Sequence, residues 1–278
     1  MIDKEEIKIK NAEEKNENVN TKRKPIKETT TNEKNPKKKM VSIFVRILLV
    51  FFIIVFIFSV FRIVKYVIDS KENKQIFEEI TSSVIQEDMP ELPIVNFAEL
   101  KEKNSDTVGW LEVPNTEVKF PVVKSADNDF YLNHNFYKDY NAAGWIFMDC
   151  ANVLDGTDKN IVIYGHNRKD GTMFGTLKNI LKNEWLNNEE NKEITFMQDS
   201  ENAKYEVFSV YQIEVEDYYR TTNFKEGEFE KFIETIKSRS VKDFGVDVSN
   251  EDQILTLSTC GKNNTYRIVL HAKKIAIK

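Results

Sequence analysis

QILTLSTCGKNNTYRIVLHAKK, residues 253–274, reads as two extended runs separated by a short polar turn. Both runs are rich in β-branched residues, and Gly and Asn mark the reversal between them. If they pair as a hairpin, Arg267 at the start of the second lies close to Cys260 at the end of the first. A cation beside a thiol favours the thiolate and can also hold a developing oxyanion. A structural cysteine with a surface arginine nearby fits the same local pattern, so other parts of the chain must decide between the two.

Upstream, NIVIYGHN (160–167) is a strand-like run ending at His166, with Gly165 permitting a tight backbone before it. Thiol catalysis needs an imidazole that passes protons to a leaving group and takes them from an incoming nucleophile. Of the three histidines, His134 falls in a loop pattern, YLNHNF. His271 lies within the last strand on the side of Arg267, because residues four apart in a strand share a face. Histidines in such positions are more often structural than catalytic, and His166 is the best candidate acid and base on local grounds.

VGWLEVP, VKFPVVK, GWIFMD, EITFMQ and KYEVFSVYQIEV add five runs of the same type, and with the three above they make eight. Short strands in this number, bounded by Asn, Asp, Gly and Pro, predict a mostly β fold closed into a barrel. Helices interrupt it at GTMFGTLKNILKN and at EGEFEKFIETIKSRS, where Phe229, Phe232, Ile233 and Ile236 share one face. Asn96 is placed to cap a further short helix, VNFAELKEKN.

The first 40 residues carry twelve basic and eight acidic side chains with few large apolar ones, a composition that predicts a disordered tail. Residues 41–65 follow as an uncharged core, ILLVFFIIVFIFSVF, flanked by Arg46 and Arg62. About 24 such residues span a bilayer core of about 30 Å as a single N-terminal transmembrane helix. A cleaved signal peptide is the competing reading, but the basic region is long and no small-x-small site follows the apolar run. The positive-inside rule then predicts a cytoplasmic N-terminus and an external remainder. Residues 66–95 predict a juxtamembrane helical segment with Ile76, Ile80 and Val84 at helical spacing, broken by Pro90 and Pro93. Residues 96–278 are left as one catalytic domain, and removing about the first 70 residues is expected to leave it soluble and active.

From Tyr66 onward, 25 basic residues face 37 acidic ones, so nucleic acid is not an expected partner. The two cysteines, Cys150 and Cys260, form no disulfide framework, although a single bridge between them is one reading. Scattered histidines, the absence of a CxxC pair and the lack of a glycine-rich phosphate loop predict neither metal nor cofactor.

TLSTC followed by an arginine on the next strand, with YGH on an earlier one, resembles the sortases. DNDFYLNHNFYKDYNAAGWIFMD and NIVIYGHNRKDGTMFGTL are similar to class B in particular, and the similarity runs from about Phe97 to the C-terminus. The resemblance implies an eight-stranded sortase barrel with inserted helices, the one near Glu228 to Ser238 matching class B. It makes Cys260 the nucleophile, His166 the general acid and base, and Arg267 the stabiliser of oxyanion or substrate backbone. Substrate contacts carry over to Asn128, Leu132, Tyr218, Tyr219 and Ser258. Some class B members have an aspartate after the cysteine where this chain has Gly261.

The implied activity is that of a cysteine transpeptidase on the plasma membrane of a Gram-positive cell. It would cleave a C-terminal sorting motif of secreted proteins after threonine and pass the thioacyl group to the amine of a cell-wall peptide or its lipid-linked precursor. A pilin-polymerising sortase uses the same chemistry with a different amine. A non-catalytic, membrane-tethered binding module is the alternative of another class, and it expects an inert Cys260.

Overall fold

The computed structural model describes residues 36–86, 94–153, 155–199, 201–260 and 265–275. The polar tail through residue 35, the break at Pro90 and Pro93 and the turn from Gly261 to Asn264 lie outside these residues. The chain divides into two compact units, Met1–Val55 and Phe56–Lys278.

Helix α1 (Pro36–Val84) is continuous over 49 residues. It already includes residues 36–40, which the sequence composition assigns to the tail. Its apolar stretch is exposed all around, with Phe56 68% and Ile57 61% accessible, and among the described residues it is the one helix long and apolar enough to cross a membrane. No helix break separates this stretch from the segment after Tyr66. There Asp69, Asn73, Ile76, Ile80 and Val84 are buried at spacings of four, three, four and four, the stripe that a helix lays against a core. Ile80, fully buried, packs into the main hydrophobic cluster with Leu100 and Trp110. An Ile80→Ala variant is expected to lose about 2–5 kcal/mol of stability, read from the midpoint of denaturant unfolding.

Strands β1 (Ile85–Gln86) and β2 (Ile94–Val95) pair as a small antiparallel ribbon. Helix α2 (Phe97–Lys103) starts at Asn96, whose side-chain oxygen accepts a hydrogen bond from the Glu99 amide at 3.2 Å. The barrel strands are β3 (Thr107–Glu112), β4 (Lys119–Val123), β5 (Phe147–Met148), β6 (Asn160–Gly165), β7 (Glu193–Gln198), β8 (Glu201–Glu214), β9 (Ile254–Cys260) and β10 (Tyr266–Ile275). They close in the order β10-β8-β7-β3-β4-β5-β6-β9, and each of the eight runs read from the sequence supplies one. Closure leaves no unpaired barrel edge. Pairing is antiparallel except for β4 with β5 and β6 with β9. The parallel β6–β9 pair matters most for the site, because it brings the C-terminal ends of two strands distant in sequence to one end of the barrel.

The segment after β6 differs from expectation. Gly171 and Met173 have φ of +84° and 53°, left-handed values that interrupt a right-handed helix. Residues 171–176 therefore turn back, and the Phe174 amide donates to the His166 carbonyl at 3.0 Å. Helical structure begins only at a 3-10 turn, Leu177–Leu181, followed by the one-turn helix α3 (Asn183–Leu186). Helix α4 (Glu228–Ser238) forms as its periodicity predicts, with Phe229, Phe232, Ile233 and Ile236 packed on Phe208, Tyr211, Tyr219 and Val269.

Candidate active site

β9 and β10 pair antiparallel with Cys260 opposite Arg267, so the hairpin read from the sequence exists in that register. On the other side of β9 the parallel partner β6 sets Tyr164 beside Ser258 and Gly165 beside Thr259. His166 follows β6 by one residue and Cys260 follows Thr259 by one, so the same register carries the backbone of His166 alongside that of Cys260. Three residues separated by up to 101 positions thus meet at one barrel end.

A cavity of about 270 Å³ lies here, lined by His166, Arg267, Ser258, Thr259, Tyr164, Asn128 and Leu132 and by residues 215–217, Tyr219 and Arg220. The half-buried His166 ring is held by a hydrogen bond from Nε2 to the Leu132 carbonyl at 2.7 Å. A carbonyl oxygen only accepts, so Nε2 carries a hydrogen and Nδ1 is the nitrogen left to exchange a proton. Arg267 donates through Nη1 to its neighbour's carbonyl, Tyr266, at 3.1 Å. On the cavity wall the Tyr219 and Ser258 hydroxyls hydrogen-bond at 3.0 Å. The Asn128 side-chain oxygen accepts from the Cys150 amide at 2.8 Å, and Cys150 itself is a free, half-buried thiol, which removes the single-bridge reading.

A family pattern for the sortase domain matches residues 111–275. This chain belongs to the sortase family. Sortase B of Listeria monocytogenes is 36% identical over 236 residues, covering 80% of this chain and 92% of that one. Sortase B from Bacillus anthracis, solved in complex with AAEK1, superposes with a TM-score of 0.66 at 32% identity over 76% of this chain and 99% of that one. A Staphylococcus aureus sortase B–substrate complex gives a TM-score of 0.61 at 31% identity over 74% of this chain and 93% of that one. The sortase is of class B, and its family chemistry is cysteine transpeptidation in cell-wall assembly.

Four of the five residues expected to contact substrate, Asn128, Leu132, Tyr219 and Ser258, line the cavity of this sortase. Tyr218 does not. It turns toward α4, where its ring sits 5.4 Å from Phe232 and 5.3 Å from the Arg239 guanidinium. The two are neighbours in a 3-10 turn, Tyr218–Arg220, and consecutive side chains on such a turn leave in different directions. Tyr164 was missed at the sequence level although it is two residues before His166, the spacing that shares a strand face. Its hydroxyl donates to Asp149 at 2.6 Å, and burial followed by that carboxylate pushes its pKa well above the usual tyrosine value.

His134 is occupied elsewhere, stacked on Phe130 at 4.1 Å with Nδ1 bonded to the Phe130 carbonyl at 2.7 Å. His271 is wholly buried in a chain of polar groups. Asn160 gives its amide hydrogens to the Tyr219 and Thr221 carbonyls, which leaves its oxygen to accept from Thr256 at 2.6 Å. The Thr256 oxygen then accepts from His271 Nδ1 at 2.8 Å, and His271 Nε2 and the Tyr211 hydroxyl hydrogen-bond at 2.9 Å. In the neutral ring Nε2 accepts from that hydroxyl. Burial, with a smaller contribution from the Arg239 charge, lowers the His271 pKa to about 3. The unfolded chain protonates near 6.5 while the folded one does not, so stability is lost as pH falls from about 6.5 toward 3. Between pH 8 and pH 5 this residue is expected to remove about 2 kcal/mol, measured as the difference in pH slope between the unfolding of the parent and of His271→Gln.

Proposed function

We propose that this sortase uses Cys260, His166 and Arg267 to join an exported protein to a cell-wall peptide amine. The reading is carried by the strand register, which sets Cys260 opposite Arg267 and runs the His166 backbone alongside it at the edge of the cavity. The Cys260 thiolate attacks the carbonyl carbon of threonine in a C-terminal sorting motif. As the carbon–nitrogen bond breaks, His166 gives its Nδ1 proton to the departing amine, and a thioester remains. The amine of a cell-wall peptide or lipid-linked precursor attacks that thioester, His166 takes the amine's proton, and the thiolate leaves. Arg267 offsets the charge of the thiolate and of the oxyanion in both steps. Asn128, Leu132, Tyr219 and Ser258 form the wall against which the motif lies, and Tyr218 supports that wall from the α4 side.

The apolar stretch of α1 serves as the membrane anchor of residues 41–65, with the basic N-terminal tail of residues 1–40 cytoplasmic, residues 66–95 juxtamembrane and residues 96–278 extracellular. Substrates emerge from export at the same membrane, so tethering raises the local concentration of enzyme around them.

The test is mass spectrometry of the full chain in detergent micelles with NPxTx, LPxTG and SPxTG peptides and an amine acceptor. Cleavage after threonine, an acyl adduct on Cys260 and an amine-ligated product are expected. If no peptide is cut and Cys260 ignores iodoacetamide, the transpeptidase assignment to Cys260 fails and the binding-module reading replaces it.

A further inference from the structure

We infer that the first two turns of α1 beyond its apolar stretch, Tyr66 to Asn73, position His166, so that the helix proposed as the anchor is also part of the catalytic apparatus. The inference rests on the proposed role of His166 and adds residues to which no role in the reaction has been given.

Two loops flank His166, and this helical segment grips both. On one side, fully buried Asn73 donates from Nδ2 to the Gly144 carbonyl at 2.8 Å. Gly144 lies so close to the imidazole that a β-carbon built on it would come within 3.0 Å of His166 Cδ2. The same loop is tied again where Asn141 donates to the Asp69 carbonyl at 3.0 Å and the Ala142 amide to the Asp69 carboxylate at 3.3 Å. On the other side, the Arg168 amide donates to the His166 carbonyl at 3.1 Å. The Arg168 side chain, 8% exposed, lies with its guanidinium 3.9 Å from the Tyr66 ring centroid and donates to the Tyr66 carbonyl at 3.2 Å. Arg168 and Asp170 also both hydrogen-bond Ser70.

Each contact is costly to leave half made, because Asn73 and Arg168 are buried polar groups. The helix is thereby seated against both loops at once, and in that seating the Nε2–Cδ2 edge of the ring faces the Leu132 carbonyl and Gly144. An acid–base group needs placement within about half an ångström, and errors of about 1 Å cost on the order of a hundredfold in rate. Core packing by Ile76, Ile80 and Val84 further along the same helix holds the fold. The polar grip nearer the apolar stretch has the separate task of orientation. Removing the first 70 residues, expected from the sequence to leave an active domain, should instead cost turnover by taking away Tyr66, Asp69 and Ser70.

The test uses the full chain in micelles, labelled with ¹³C-histidine, so that three ring resonances report separately; that of His166 is assigned by its loss in His166→Gln. Asn73→Ala and Arg168→Ala are expected to shift or broaden the His166 resonance alone, leaving those of His134 and His271 in place. They are expected to lower kcat about ten- to a hundredfold with KM within twofold, and Arg168→Lys to recover only part, since an ammonium cannot bond in a planar fork. A His166 resonance unmoved in both alanine variants, or a loss confined to KM or following the melting temperature, overturns the inference. Full turnover by His166→Gln would instead overturn the assigned role of His166, and the resonance in the other variants still decides whether the helix orients the ring.

Discussion

Replacing Cys260 with alanine is expected to lower transpeptidation by at least about 10⁴-fold, because the reaction then has no nucleophile able to form the thioester. His166→Ala should fall nearly as far, since without an imidazole the departing amine leaves unprotonated. The double variant should be no slower than Cys260→Ala alone, because groups acting as one unit do not contribute additively. Arg267→Lys retains the charge but not the fork, and loss of one oxyanion donor predicts a fall of about 10²–10³-fold in kcat. Steady-state kinetics with a fluorogenic peptide, together with intact mass after substrate addition, measure all four. Turnover of Cys260→Ala within tenfold of the parent would transfer suspicion to Cys150, the other thiol, which lies beside Asn128.

Gly144→Ala is the second substitution with a large expected effect, and it involves none of the three reacting residues. Gly144 has a φ of +60°, and a β-carbon there would come within 2.5 Å of the Tyr131 carbonyl oxygen, 2.8 Å of that of Leu132 and 3.0 Å of His166 Cδ2. Two of these neighbours are backbone, which cannot swing aside as a side chain tip does. The Leu132 oxygen is also the acceptor for His166 Nε2, so the displacement reaches the imidazole directly. The left-handed conformation alone costs alanine about 1–2 kcal/mol, and the clash adds overpacking of about 1–3 kcal/mol. Stability should fall by about 2–5 kcal/mol, and kcat by about 10²-fold at temperatures where the variant remains folded. Gly227→Ala separates the two causes. That glycine has a φ of +73° with nothing within 4 Å of the added carbon, so it should lose only the conformational part and keep its turnover. Equal kcat in the two variants would show that the Gly144 contacts have no bearing on His166.

The parts of the fold that depend on neighbours along the chain were legible without coordinates. Eight strands, the Asn96 cap and the apolar face of α4 follow from alternation, turn residues and 3.6-residue periodicity, all of which act within about a dozen positions. The hairpin that sets Arg267 opposite Cys260 is local in the same sense, since they lie seven positions apart. His166 was reached by chemical need and by the resemblance of its motif, while its approach to Cys260 depends on β6 and β9 pairing in parallel across nearly a hundred residues. No local pattern specifies such a pairing.

What only the tertiary structure decided is which polar groups the fold encloses. On α1 the apolar members of the buried stripe, Ile76, Ile80 and Val84, stand out by periodicity, but Asp69 and Asn73 continue the same stripe and look like solvated positions in the sequence. Tyr218 and Tyr219 are identical in the chain and opposite in environment. His271 shares a strand face with Arg267, yet α4 and β8 cover it and turn it into a neutral structural hydrogen-bonding group. Apolar side chains announce their burial because water rejects them wherever they sit. A polar side chain is buried only where a particular partner satisfies it, and here the partners, the Gly144 carbonyl for Asn73 and Thr256 with Tyr211 for His271, come from elements far away in sequence.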